Sequence, residues 1–252
     1  MQISGDDLIR NLGAQKIEST FTNKINNTIN NAAISLEEAR KDATAKRRFD
    51  GILDAAEVTF AALGAKGATM REIAERAGVA QGLIHYHFAT KEKLFERMVA
   101  RRSDHINTAR AEMLAALLAE AEHPALHDVV EALFRPTIEA GITLANDGSA
   151  FARILVTMAN SAEPRAQALA EKYYDPIARK FIAALMLAEP KLSHEDAVWA
   201  YMFAIGVGMN MMARTGRSLR LSDGACDDGD AELMLTKIVP FICGGIQALV
   251  NK

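Results

Sequence analysis

The sequence predicts an all-α chain: a three-helix helix-turn-helix unit followed by a larger helical domain. Three observations predict it. Residues Thr69 to Phe95 read TMREIAERAGVAQGLIHYHFATKEKLF, two short helical patterns hinged at a glycine and followed at once by a third. Upstream, apolar residues recur at spacings of three and four, the helical period. No convincing β alternation appears along the 252 residues.

The first helix of the unit carries Phe49, Ile52, Leu53, Ala56, Phe60 and Leu63 as one stripe and is expected to end near Gly64 and Gly67. Thr69 with Glu72 reads as a capping box and starts the second helix. Ile73, Ala74 and Ala77 give that helix its apolar face. Gly78 stands where the turn requires a left-handed backbone. Val79 and Ile84 bracket the third helix and point inward; Gln81, Leu83, His85 and Tyr86 fall toward the outside. Thr90 is the expected N-cap of a long fourth helix reaching about Glu122, stopped by His123-Pro124.

Further helices are expected from Leu126 to Leu144, bent near Pro136, and from Ser149 to Ser161, after an Asn146-Asp147-Gly148 turn. Another is expected from Arg165 to Ala188, disturbed at Pro176. Ser193 with Asp196 caps the next, running to about Thr215. A polar loop from Gly216 to Asp230 then leads to a last helix, Ala231 to Val250, with Pro240 near its middle.

Charge divides along the chain. Residues 44–102 hold eleven Lys or Arg against seven Asp or Glu, whereas residues 103–252 hold thirteen against nineteen. A basic segment on a chain of net charge −3 suits a polyanion-binding module joined to a non-binding one. Lys46, Arg47 and Arg48 either meet phosphate or form a solvated helix start. The expected domains are 1–44, an Asn-rich and flexible extension, 45–92, the helix-turn-helix DNA-binding unit, and 93–252, a larger helical domain. The extension reads as a tail or short exposed helices, with a DNA-contacting arm as the other possibility.

Half the residues are hydrophobic, enough for a sizeable core, yet no apolar run approaches the roughly 18 residues that span a bilayer. With no signal-peptide core, the expected location is cytoplasmic, with no membrane partner. Cys226 and Cys243 have no metal-ligand spacing and would stay reduced there. No nucleophile elbow, phosphate-cradling loop or zinc pattern is present. The expectation is therefore no enzyme, no catalytic residue, no cofactor and no metal.

The stretch ILDAAEVTFAALGAKGATMREIAERAGVAQGLIHYHFATKEKLFERMV, Ile52 to Val99, resembles the TetR family of one-component bacterial regulators. The specific features are Gly78-Val79, Gly82, the aromatic-rich run ending in Phe88, and Lys91 three residues on. The resemblance implies a homodimer that binds a near-palindromic double-stranded DNA operator, most simply as a repressor released by a small-molecule effector. It implies base-edge contact by Gln81, Gly82 and Leu83 at the start of the recognition helix, and base or phosphate contact by Arg71. Thr69, His85, Tyr86, His87 and Lys91 are implied to hold the DNA backbone, with Arg48 as a phosphate contact. The chemistry agrees, since Gln reads adenine, Arg reads guanine and Leu packs on a thymine methyl. Two residues depart from the family pattern: Ala80 stands where Ser is common and His85 where Tyr is usual. His87 has a second open role, packing beside Phe88.

The family's last two helices form a four-helix dimer interface. Trp199, Phe203, Val207 and Met211, with Phe241, Ile242, Gly245 and Leu249, are the candidates, though some must fill the chain's own core. Two recognition helices would then lie roughly 34–36 Å apart. The expected effector is apolar or amphipathic. Candidate contacts are His127, Phe134, Phe151, Arg153, Met158, Tyr173, Met202 and Asn210, each with a core or surface role as its alternative. The fourth helix, joining both domains, is the expected lever of a population shift. Two other readings stay open: an effector-independent activator or chromosome-organising protein of the same fold, and an all-α binding module with vestigial DNA binding.

Overall fold

The computed structural model describes the backbone of residues 5–143 and 149–250 and the side chains of residues 35–141 and 150–250. The expected Asn146-Asp147-Gly148 turn lies outside the described residues. Among those described, the chain is helical with no strand, in eleven helices. They are α1 Gly5–Gly67, α2 Met70–Ala77, α3 Gln81–Phe88, α4 Lys91–Glu120, α5 Leu126–Thr143 and α6 Ser149–Ala159. α7 Pro164–Tyr173, α8 Asp175–Ala188, α9 His194–Met212, α10 Arg217–Leu221 and α11 Ala231–Val250 complete the order.

The chain divides into two compact units, Met1–Gly51 and Ile52–Lys252. The first is the N-terminal part of α1. Its backbone is helical from Gly5; no proline interrupts it, and LEEARKDATAKRR is made largely of good helix formers. Side chains 35–48 are exposed.

The second unit holds everything that follows. α1 breaks at Gly64, whose φ of 71° and ψ of 166° only glycine adopts readily. Ile52, Leu53, Ala56 and Phe60 are buried, as the stripe predicts, while Leu63 is exposed. Two ion pairs hold α1 to α4: Arg101 with Asp54, and a bidentate Arg102–Glu57 pair.

α4 packs along α5 and against α7 and α8; α9 and α11 pack on each other, and α11 lies along α5. The core between them contains Leu133, Phe134, Ile138, Phe181, Leu185 and Ile238. Gly208 of α9 is a packing glycine, because a Cβ there would overlap the Phe134 ring. The single helix expected over Arg165–Ala188 is two. Pro176 has no N–H to continue α7, and the residue before a proline resists the α conformation, so the chain turns at Tyr174 and restarts with Pro176 in the first turn of α8. The polar loop after α9 contains the short α10.

α11 corrects another expectation: its mean hydropathy of 1.8 makes it long and apolar enough to cross a bilayer. Here Met234, Leu235, Ile238, Val239, Ile242 and Ile246 bury one face of it in the core.

Candidate nucleic-acid interface and ligand cavity

The helix-turn-helix is set by its caps. The Thr69 hydroxyl accepts from the Glu72 N–H at 3.2 Å, and the Glu72 carboxylate accepts from the Thr69 N–H at 2.8 Å. The Thr69 hydroxyl, donating to the same carboxylate at 2.8 Å, and the Thr69 N–H hold the Glu72 carboxyl below the usual carboxylate range. α2 ends at Gly78, in the left-handed conformation, with the Val79 N–H bonded to the Ala74 carbonyl at 3.1 Å. The chain then turns directly into α3. Ala80 caps it without a side-chain bond, as the absence of a hydroxyl dictates.

α3 buries Ile84 and Phe88, one turn apart, and so turns its other faces outward. Gln81, Gly82, His85, Tyr86 and His87 are exposed, and Leu83 is half-buried. Tyr86 is 82% exposed, an aromatic side chain the core does not use. Gln81 Nε2 meets His85 Nε2 at 3.2 Å, and His85 Nδ1 lies 3.4 Å from the Ala89 carbonyl. One neutral tautomer satisfies both contacts: Nδ1–H donates to Ala89, and Nε2 accepts from Gln81. His87 contacts both neighbouring rings, Tyr86 at 5.3 Å and Phe88 at 6.0 Å between centroids. Thr69 and Arg71 are exposed, the latter paired with Glu75 at 2.9 Å, and Arg48 is exposed on its own unit.

Lys91 has partners within the chain. Its ammonium donates to the Lys66 carbonyl at 3.0 Å and the Ala68 carbonyl at 2.8 Å, tying the first turn of α4 to the end of α1. The cause is local: α1's last carbonyls lack helical partners and attract the nearest cation.

The eight effector candidates do not converge. Arg153 and Met158 line a cavity of about 430 Å³ between the end of α1, the start of α4, α6 and α7. Tyr173 lines an open groove between α4 and α8, together with Asn107 and Ile177. Phe151 borders a small cleft beside Thr137. Phe134 is wholly buried against Gly208, whereas Met202 and Asn210 are exposed on α9. His127 is exposed beside Asp128 and Glu131. These three place ligand atoms within 4.8 Å of one another, but at the surface, with Glu131 also held by Arg135.

Sequence reasoning missed most of the cavity wall, including Phe60, Lys66, Phe95, Arg165 and Leu169, because it comes from four separate segments. It also missed a buried polar node. Arg110 donates to the Leu133 carbonyl at 2.9 Å, Ser103 donates to the Tyr174 hydroxyl at 2.7 Å, and Asn107 donates to the Tyr173 carbonyl at 2.7 Å. Leu133 lies on the turn of α5 that precedes Pro136. Burial lowers the Arg110 pKa and pushes the Tyr174 phenol up to about 12.

α9 and α11 share an exposed apolar face. Trp199 stacks on Phe203 at 5.7 Å, and both are exposed with Met202 and Phe241. Gly245 is exposed; Val207, Met211 and Leu249 are half-buried. Ile242 is a correction, buried in the chain's own core, because it follows Phe241 by about 100° around the helix.

Known proteins match both regions. The model of the tetR family of bacterial regulatory proteins matches residues 52–98, and that of the tetracyclin repressor-like C-terminal domain matches residues 131–245. TtgW of Pseudomonas putida, an uncharacterised HTH-type transcriptional regulator, is 40% identical over 65 residues, 25% of this chain and 48% of that protein. The repressor KstR2 of Mycolicibacterium smegmatis is 40% identical over 52 residues, 21% of this chain and 25% of that one. The chain thus spans half or less of the curated relatives it matches. Among solved structures, the fatty acid degradation regulator FadR of Bacillus halodurans superposes with a TM-score of 0.59 at 16% identity, over 79% of this chain and 95% of that one. FadR of Bacillus subtilis, solved in complex with stearoyl-CoA, gives 0.54 at 16% identity, over 80% and 97%. At such identities the structures speak for the fold. With the capped helix-turn-helix and the helical domain behind it, these matches establish that the chain belongs to the TetR family of DNA-binding transcriptional regulators.

Proposed function

We propose that the protein is a repressor that binds a near-palindromic operator as a homodimer and leaves it when a small apolar or amphipathic effector binds. The carrying observation is α3, which buries Ile84 and Phe88 and leaves Gln81, His85 and an 82% exposed Tyr86 outward. A hydrogen-bonding amide, an imidazole and a phenol on one short exposed helix suit base edges and phosphates in a major groove. Gly82 adds no Cβ there, so the backbone can approach closely. Gln81 must exchange its His85 contact for a base. The exposed apolar face of α9 and α11 supports the homodimer, and two copies would answer the two halves of the operator. Domain limits at 44 and 92, and location in the cytoplasm, belong to the same proposal. The stearoyl-CoA held by the Bacillus subtilis neighbour is amphipathic, in keeping with the effector class.

The test is fluorescence anisotropy on an operator recovered by selection from random duplexes. Gln81→Ala should weaken it by about 1–3 kcal/mol and relax preference at one base pair. Tyr86→Ala should weaken all duplexes alike. Binding by both variants at wild-type affinity would overturn this orientation of α3.

A further inference from the structure

We propose that His85 is the positioning residue of α3: the proton it takes up on DNA releases the Gln81 amide to a base and turns the imidazole into a phosphate donor. This rests on the reading of the chain as an operator-binding regulator and adds the linkage of that binding to protons.

The count of donors and acceptors on α3 carries it. A carbonyl only accepts, so the 3.4 Å contact with Ala89 puts a hydrogen on His85 Nδ1. The Ala89 N–H returns a bond to the His85 carbonyl at 2.9 Å, which holds the two residues against each other. In the neutral ring Nε2 is then a bare acceptor, and it takes a hydrogen of the Gln81 amide at 3.2 Å. Both side chains are exposed, one helical turn apart. An ionised phosphate oxygen also only accepts. Two acceptors make no hydrogen bond, so the neutral ring in this tautomer holds Gln81 and cannot hold a phosphate.

Protonation reverses both. The imidazolium carries a hydrogen on each nitrogen. Nδ1–H stays on Ala89, and Nε2–H turns to the phosphate, whose charge makes the stronger bond. With Nε2 no longer an acceptor, the Gln81 NH2 group loses its partner on α3. Its amide then offers one acceptor and one donor to a base edge, the pattern that answers adenine.

The surroundings single out His85. α2 and α4 pack against α3. On α2, Arg71 pairs with Glu75, Glu72 bonds to Thr69, and Arg76 lies in the last turn. On α4, Lys91 holds two backbone carbonyls, with Glu92 and Lys93 beside it in sequence. Tyr86 and His87 are the other titratable groups of α3. Among the described residues, the hydrogen bonds of the His85 ring go to Gln81 and Ala89. A group that holds a proton more tightly on DNA than off it makes affinity rise as pH falls. Imidazole chemistry places that rise between about pH 5 and 8.

The full-length protein and its selected operator are titrated by fluorescence anisotropy from about pH 5.5 to about pH 8.5. Calorimetry in two buffers of different ionisation enthalpy counts the protons. Wild type should bind at least about tenfold more tightly at about pH 6 than at about pH 8, taking up about one proton per subunit near neutrality. Its preference at the base pair read by Gln81 should be sharper at the lower pH. His85→Tyr supplies an O–H that donates to phosphate and does not titrate in this range. Its proton uptake should vanish, and its affinity and base preference should be level with pH. Gln81→Ala should lose the pH-dependent preference yet keep the uptake. A level wild-type profile, or an uptake that persists in His85→Tyr, would overturn the role of His85 and leave operator binding intact. A protein that binds no duplex at any pH would overturn the regulator reading and this role with it.

Discussion

Glu57 on α1 and Arg102 on α4 pair with side chains only 3% and 12% exposed. Burial raises the Glu57 pKa, and the attraction of Arg102 offsets this only in part. A carboxyl whose folded pKa is raised takes up protons on folding, so its contribution to stability falls as pH rises above about 4.5 and levels off beyond the raised pKa. Removing Arg102 leaves the buried carboxylate without its hydrogen-bonded cation and moves that pKa further up. Arg102→Met should therefore cost about 3–5 kcal/mol near neutral pH and less under acid conditions, where Glu57 is protonated. Urea denaturation at about pH 5 and about pH 8 checks the difference. An equal loss at both would mean that Glu57 is not the group left stranded. Gly208 makes a second demand on single atoms: a methyl there overlaps the Phe134 ring, so Gly208→Ala should destabilise by about 1–3 kcal/mol through overpacking.

The turn between α3 and α4 shows what fixes an element. Ala89 has φ 58° and ψ −52°, and the Thr90 N–H bonds to the Phe88 carbonyl at 2.6 Å. That is a γ-turn of the rare, strained hand, occupied by a residue with a Cβ. Ala89→Gly should raise stability by roughly 1 kcal/mol, read as a higher urea midpoint at unchanged slope; a lower midpoint would show that the turn is not strained. Nothing in the sequence announces this turn. The elements around it were legible, because their signals are local: the Thr69–Glu72 box, Gly78, Thr90 and Ser193 each act within four residues. The split of α7 from α8 was half legible. Pro176 marked a disturbance, and the restart at Asp175 depends on the conformation of the residues just before it. The cavity was the least legible. Arg153 and Met158 share a face with Phe60, Phe95 and Leu169 only after four helices have packed. The hydrogen bonds of Lys91 were hidden for the same reason, since the carbonyls that accept them belong to residues more than twenty positions earlier.

At the scale of the molecule, the exposed apolar side chains on α9 and α11 set the argument. Phe241 is 68% exposed, and Trp199, Met202 and Phe203 are each more than half exposed. Together they form a patch of a kind that soluble monomers rarely leave to water. α11 is apolar enough to meet a bilayer, yet one face is already committed to the core, and Phe241 stays exposed outside it. A second copy placing the same face against this one would bury both patches. Phe241→Asp puts two carboxylates into that seam without touching Ile238, Ile242 or Ile246. Folding should survive, with a melting temperature within a few degrees of wild type. Sedimentation should shift from dimer to monomer. Operator affinity should fall by more than about tenfold, because each monomer meets one half-site, and the salt dependence should drop toward half because half the phosphates are neutralised. A Phe241→Asp protein that remains dimeric would place the interface elsewhere, and one that is monomeric yet binds the operator with the wild-type salt slope would remove the dimer from the mechanism.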